Sequence, residues 1–260
     1  MAELAAEAER AGWDGVFLED YIGYQGQTGT PTYDPWVTMA AMAVATSRVR
    51  IGTSVTPLPR RRPWKLAAEA VTLDHLSGGR LVLGVGSGDV NDPGFGATGE
   101  TADAVTRSQR LDEGLEIVTR LWAGETVTFH GRHYQVDGLR LSPSPVQAPR
   151  IPVWVGGDWR LRGVRKRVPR WDGCCVYKGL PPEDWQDMTP DDVSDIRAAV
   201  ARPDFDICVG GRQRAEDWDR EREHIRSIAA AGATWWSEWV NPLDRQATYD
   251  AVRRGPLRAE

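Results

Sequence analysis

Seven short runs of apolar, largely β-branched residues alternate along this chain with segments of helical period, and that alternation leaves few folds open. The runs are Asp14 to Asp20, Val49 to Thr56, Arg80 to Gly86, Ile151 to Gly157, Gly173 to Tyr177, Phe205 to Gly211 and Ala233 to Val240. Most are almost continuously apolar, as strands covered on both faces should be. A strand–helix–strand rhythm predicts βαβ units, a parallel sheet and an α/β fold.

The helices are expected near Ala2 to Ala11, Pro35 to Thr46, Pro63 to Leu76, Ala102 to Trp122, Leu161 to Val168, Pro190 to Ala201, Ala215 to Ala231 and Asp244 to Arg253. Asp34-Pro35 and Thr189-Pro190 carry start chemistry, and Gly78 and Gly232 carry stop chemistry. A closed parallel barrel wants eight strands, each followed by a helix. The first helix here has no strand before it, so the pattern fits an open sheet or a (β/α)8 barrel whose first strand lies ahead of Met1. The segment at about 125–150 breaks the rhythm: it alternates apolar and polar residues around "HGRH" and then turns proline-rich, which reads as a hairpin insertion followed by a tether. No composition shift divides the chain, so a single domain over 1–260 is expected.

At 260 residues and 41% hydrophobic, the chain can bury a full core. Its formal charge of −5 offers no field to draw in nucleic acid or an anionic membrane. No apolar run approaches the roughly 20 residues of a membrane span, and "MAELAAEAERAG" is an acidic amphipathic helix rather than a signal peptide, so a cytoplasmic location is expected. Cys174, Cys175 and Cys208 give neither an even framework nor a CxxC spacing and read as buried, reduced thiols. His75, His130, His133 and His224 sit apart from any Cys or carboxylate cluster, so no metal is expected. No G-x-S-x-G elbow supports hydrolysis.

Three strand exits are rich in glycine. In "GVGSGD" the glycines are Gly84, Gly86 and Gly88, whereas a dinucleotide fingerprint wants the third glycine one place later and a helix at once. A nicotinamide site is therefore disfavoured. Glycines at the carboxyl end of a barrel strand let a flat ligand approach backbone amides, and Gly86 and Gly88 are assigned that role. Gly78, Gly79 and Gly84 are read as serving the helix stop and a crowded interior. "VWVGGDWR" repeats the logic: Gly156 and Gly157 precede a helix whose amino end would present N–H groups to a phosphate, with Trp159 packing on the ligand and Arg160 or Arg162 adding charge. Gly210 and Gly211 form a competing anion site.

The blocks "AEAERAGWDGVFLED" (Ala5 to Asp20), Asp34 to Gly88, Arg110 to Tyr134 and "PSPVQAPRIPVWVGG" (Pro143 to Gly157) resemble, in order and spacing, the luciferase-like flavin-dependent monooxygenases and their deazaflavin-using relatives. The resemblance implies a TIM-type (β/α)8 barrel lacking its first strand in this chain, by truncation or by a start placed too late. It implies an enzyme binding reduced FMN supplied by a separate flavin reductase, reacting it with oxygen and oxygenating a small organic substrate. Two alternatives stand beside it: hydride transfer with a deazaflavin, and a non-catalytic partner subunit. A homodimer is expected on the same ground.

Glu19 and Asp20 point to opposite faces, so only one can enter the barrel mouth. Asp20 and Tyr21 are the expected catalytic pair, Tyr21 standing where many family members carry histidine; loop capping and rim packing are the competing roles. Thr53, Ser54 and Thr56 suit the edge of a flat ring, and the resemblance implies an irregular, sometimes cis, peptide there. Arg60, Arg61 and Arg62 read as a solvated face, with steering of an anionic substrate as the alternative. Among the twelve tryptophans, Trp154, Trp235, Trp236 and Trp239 fall on or beside strands, where core packing and an aromatic ligand wall compete.

Overall fold

The computed structural model describes residues 1–27, 29–179 and 184–259. They form two compact units: Met1–Glu3 with Gly15–Pro152, and Leu4–Asp14 with Val153–Glu260.

The first unit runs through β1 (Gly15–Leu18), α2 (Pro35–Ala45), β2 (Arg50–Thr53), β3 (Thr56–Pro57), α3 (Pro63–Ser77), β4 (Leu81–Gly86), α4 (Pro93–Gly96), α5 (Ala104–Trp122), β5 (Val127–His130) and β6 (Gln135–Leu139). β1, β2 and β4 lie side by side in parallel, with Val16 opposite Ile51 and Ile51 opposite Leu81, and β3 pairs with the end of β4. Every residue of β4 is buried, which accounts for its unbroken apolar run. Leu66, Ala70 and Leu73 of α3 and Leu111, Leu115 and Val118 of α5, at helical spacing, supply the buried stripe of each helix. The expected strand Val49 to Thr56 is two strands, interrupted at Ser54-Val55, whose peptide is cis.

Start and stop chemistry is where the sequence puts it. Asp34 accepts from the Val37 amide at 2.9 Å, and Gly78 closes α3 in the left-handed conformation at φ +62°. β5 and β6 form an antiparallel hairpin. Its turn is fastened by one carboxylate: Glu113 on α5 accepts from the amides of Arg132, His133 and Tyr134 at 3.0, 2.9 and 3.2 Å. Downstream, Asp74 accepts from the amides of Val146 and Gln147 at 2.7 and 3.1 Å, so the proline-rich stretch is tied to α3.

The second unit holds all but the first residues of α1 (Ala2–Arg10), then β7 (Val153–Asp158), α6 (Arg162–Arg167), β8 (Gly173–Tyr177), α7 (Pro190–Val200), β9 (Asp206–Arg212), α8 (Trp218–Ala230), β10 (Trp235–Glu238) and α9 (Arg245–Arg253). The strands are parallel in the order β7-β8-β9-β10. Thr189 and Asp192 form a reciprocal capping box at α7. Trp154 is 2% exposed and meets Trp235 edge-on at 5.5 Å, so these tryptophans pack against each other. Among the described residues no helix is long and apolar enough to cross a membrane.

Candidate active site

In the first unit the loops after β1, β3 and β4 are held by one buried ionic network. Strand alternation sends Glu19 to solvent and Asp20 inward, where it is 4% exposed. The turn after β3 brings two arginines to it. Arg60 Nη2 donates to the Asp20 carbonyl at 2.6 Å and to Oδ1 at 2.7 Å, and Arg61 reaches Oδ2 from Nε at 3.0 Å and Nη2 at 2.8 Å. Arg60 Nη1 turns the other way, to Asp92. Asp92 caps α4 by accepting from the Gly94 amide at 3.0 Å and also accepts from Ile22 and Gly23, at 3.2 and 3.1 Å. The loops after β1 and β4 are thereby pinned to the same guanidinium.

The expectation that Arg60 and Arg61 form a solvated face is overturned. Their side chains are 5% and 19% exposed and both hold Asp20; Arg62 alone of the three is exposed. Sequence reasoning also missed Asp92. Its signal was present, because Asp92-Pro93 repeats the cap-and-proline start read at Asp34-Pro35.

Thr53 and Thr56 flank the cis peptide, and their hydroxyls face inward. Trp36 Nε1 donates to Thr56 Oγ1 at 3.2 Å, Thr56 to Thr53 Oγ1 at 3.1 Å, and Thr53 to the Gly84 carbonyl at 2.8 Å. With its hydroxyl so engaged, Thr53 supports the strand end rather than offering a donor to a ligand. Ser54, between them, is exposed, and its side chain makes no hydrogen bond among the described residues. Tyr21 is half-buried and packs edge-on against Tyr24 at 5.6 Å.

Gly84 is needed inside: a Cβ there would overlap the Thr53 carbonyl oxygen. Gly86 is buried at the end of β4. Gly88, at φ +84°, would place a Cβ 2.6 Å from the Phe95 ring and 2.8 Å from Pro57. Neighbouring side chains therefore fill the space a side chain at position 88 would take. Two guanidiniums, Arg60 and Arg107, lie over the Phe95 ring at 5.9 and 5.3 Å.

Gly156, Gly157 and Trp159 lie in the second unit, at the end of β7. Next to these glycines lies an anion of the chain itself, Asp158. Asp158 accepts from the Arg160 amide at 2.9 Å, the Gly179 amide at 3.2 Å and the Arg160 guanidinium at 2.7 Å. Burial pushes the Asp158 carboxyl up, but these bonds outweigh it and leave it below the usual carboxylate range. Gly157, at φ +143°, lies close against Val164, and α6 is six residues long. Trp159 is 2% exposed beneath the Arg165 guanidinium at 4.9 Å, which makes it a packing residue. At Gly210 and Gly211 the nearby charge is also matched, because Arg212 bonds Asp187 at 2.8 Å and Glu221 at 2.9 Å.

A sequence profile described as luciferase-like monooxygenase matches residues 1–252. An F420-dependent glucose-6-phosphate dehydrogenase of Nakamurella multipartita is 36% identical over 231 residues, covering 85% of this chain and 65% of that one. A protein of the same description from Microbacterium testaceum is 39% identical over 162 residues, covering 61% of this chain and 46% of its own. The chain thus spans about half to two thirds of the length of these curated relatives. Among solved structures, a monooxygenase from Streptomyces bottropensis superposes with a TM-score of 0.75 at 23% identity, over 97% of this chain and 89% of the other. The fold is α/β, with luciferase-like TIM-barrel neighbours.

Proposed function

The chain belongs to the luciferase-like monooxygenase family of oxidoreductases, and from that premise we propose that it is a deazaflavin-dependent enzyme transferring a hydride to or from a small organic substrate. The single observation that carries the choice is the 36% identity, across 85% of this chain, to a dehydrogenase described as F420-dependent. It favours the deazaflavin alternative over the FMN- and oxygen-using reading that the sequence resemblance put first.

The first unit fits one edge of a planar ring. Ser54 is the small, exposed hydroxyl between two hydroxyls that are engaged internally, so it can donate to a ring-edge oxygen without breaking a bond. At the turn of Gly156 and Gly157 the Asp158 carboxylate already accepts from the Arg160 and Gly179 amides, so a phosphate tail there would rest on the amides at the start of α6 instead. A bound deazaflavin would supply the hydride chemistry. The chain's own part begins with Asp20, whose two oxygens are engaged by Arg60 and Arg61 and which therefore acts as an anchor for the end of β1. Tyr21, next to that anchor and half-buried, is the residue assigned to donate a hydrogen bond to substrate or cofactor oxygen. A homodimer and a cytoplasmic location belong to the same proposal.

Titrating the purified chain in parallel with a deazaflavin and with FMN, and following fluorescence, tests the reading. Saturable binding of the deazaflavin, followed by its reduction in the presence of an alcohol or sugar phosphate, is the expected result. Binding of FMN alone, or of neither, overturns it.

A further inference from the structure

We propose that a pocket in the first unit, walled by Arg62 at the start of α3, Arg110 on α5, Glu100 ahead of it and Tyr134 at the hairpin turn, binds a small oxyanion, the phosphate or carboxylate group of a small molecule. The site stands whichever cofactor the enzyme uses.

The first support is the balance of charge. Four guanidiniums, those of Arg60, Arg61, Arg62 and Arg110, border the pocket with one carboxylate, Glu100. Arg60 and Arg61 are matched by Asp20 and Asp92, with Asp34 and Glu69 farther off at 3.7 and 3.9 Å. Arg110 Nη1 holds Glu100 at 2.7 Å. Arg62 has no ion pair among the described residues, and its side chain does not cap α3. One positive charge on the rim is therefore unmatched.

The second support is independent. Tyr134 is 5% exposed, and its buried hydroxyl has no hydrogen-bond partner. Tyr134 lines the pocket together with Arg110, Glu100 and Arg62, and the charges of these three and of Glu113 act on its hydroxyl. Burial pushes the Tyr134 phenol up to about 12, which keeps it a donor at neutral pH. An unpartnered hydroxyl on a wall that also carries the unmatched Arg62 and the Arg110 guanidinium is complemented by an oxygen-bearing anion, which accepts from all three; an apolar group leaves the hydroxyl unmatched. Glu100 is the gate. Its side chain is 36% exposed and, among the described residues, is held by Arg110 alone, so an entering oxyanion takes its place on Arg110 and gains Arg62 in addition.

Calorimetric titration of the full chain with inorganic phosphate and, separately, with acetate, in chloride buffer of matched ionic strength, tests the site. One saturable binding event with either anion is expected, weakened at least tenfold by Arg62→Gln and also by Tyr134→Phe. Arg132→Gln, an exposed charge on the same hairpin but off the pocket wall, should leave it unchanged. Phosphate binding without acetate binding assigns a phosphate group, and the reverse assigns a carboxylate. No saturable heat with either anion overturns the proposal, as does a loss from Arg132→Gln equal to that from Arg62→Gln. Arg62 is exposed, so its variant keeps the test valid even if Tyr134→Phe fails to fold.

Discussion

Arg60 and Asp20 form a buried ion pair: Nη2 of the first donates to Oδ1 of the second at 2.7 Å, with 5% and 1% of the two side chains exposed. Removing one member of such a pair leaves the other charge desolvated and poorly matched, at a cost of about 3–5 kcal/mol. Asp20→Asn is expected near the low end, because Arg60 keeps Asp92. Urea unfolding measures it. The double variant with Arg60→Met should cost less than the two single changes added together, as coupled partners do.

Gly88→Ala combines a positive φ with a contact against Phe95, and a loss of roughly 2 kcal/mol is expected. Phe95→Ala in the same chain should recover the steric part while leaving the backbone part. A double-mutant cycle by thermal unfolding separates them; strict additivity would show that Phe95 is not what excludes a side chain at Gly88.

Ser54→Phe places bulk on an exposed strand end whose neighbours are engaged internally. The melting temperature should stay within about 2 °C of the parent, since surface changes away from such features are small. Deazaflavin affinity should fall more than tenfold in the fluorescence titration. Undiminished affinity would remove Ser54 from the ring edge.

Asp192 gives the second unit a pH dependence. Burial raises its carboxyl, but the Lys178 ammonium at 2.6 Å and the Thr189 hydrogen bonds outweigh it and hold it below its ordinary 3.8. A folded-state value below the unfolded one contributes stability above pH 3.8, and that contribution is lost as pH falls through the lower folded value. Melting temperature against pH for the parent and Asp192→Asn should show the parent's advantage shrinking as the solution is acidified below about pH 4.

The seven strand runs and the helices between them were legible because each carries its own period, and Asp34, Thr189 and Gly78 act at the ends where sequence placed them. The break at Ser54-Val55 was not read from the period of the run Val49 to Thr56, because an apolar, hydroxyl-bearing run looks the same whether the strand continues or stops. Arg60 and Arg61 were misread for a related reason. Three consecutive arginines look solvated unless the carboxylates that bury two of them are known, and Asp20 and Asp92 lie 40 and 32 positions away. At Gly157 the positive φ and the close approach of Val164 account for the glycine, and neither is written in the period of the run.

The row of donors from Trp36 through Thr56 and Thr53 to the Gly84 carbonyl runs in a single direction, each hydroxyl receiving from one neighbour and giving to the next. Exchanging either threonine for valine strands the donor behind it and the acceptor ahead of it together, so no single replacement in the middle is neutral. Across descendants of this chain, the threonine pair should be inherited or lost as a block, even though neither member needs to meet a ligand.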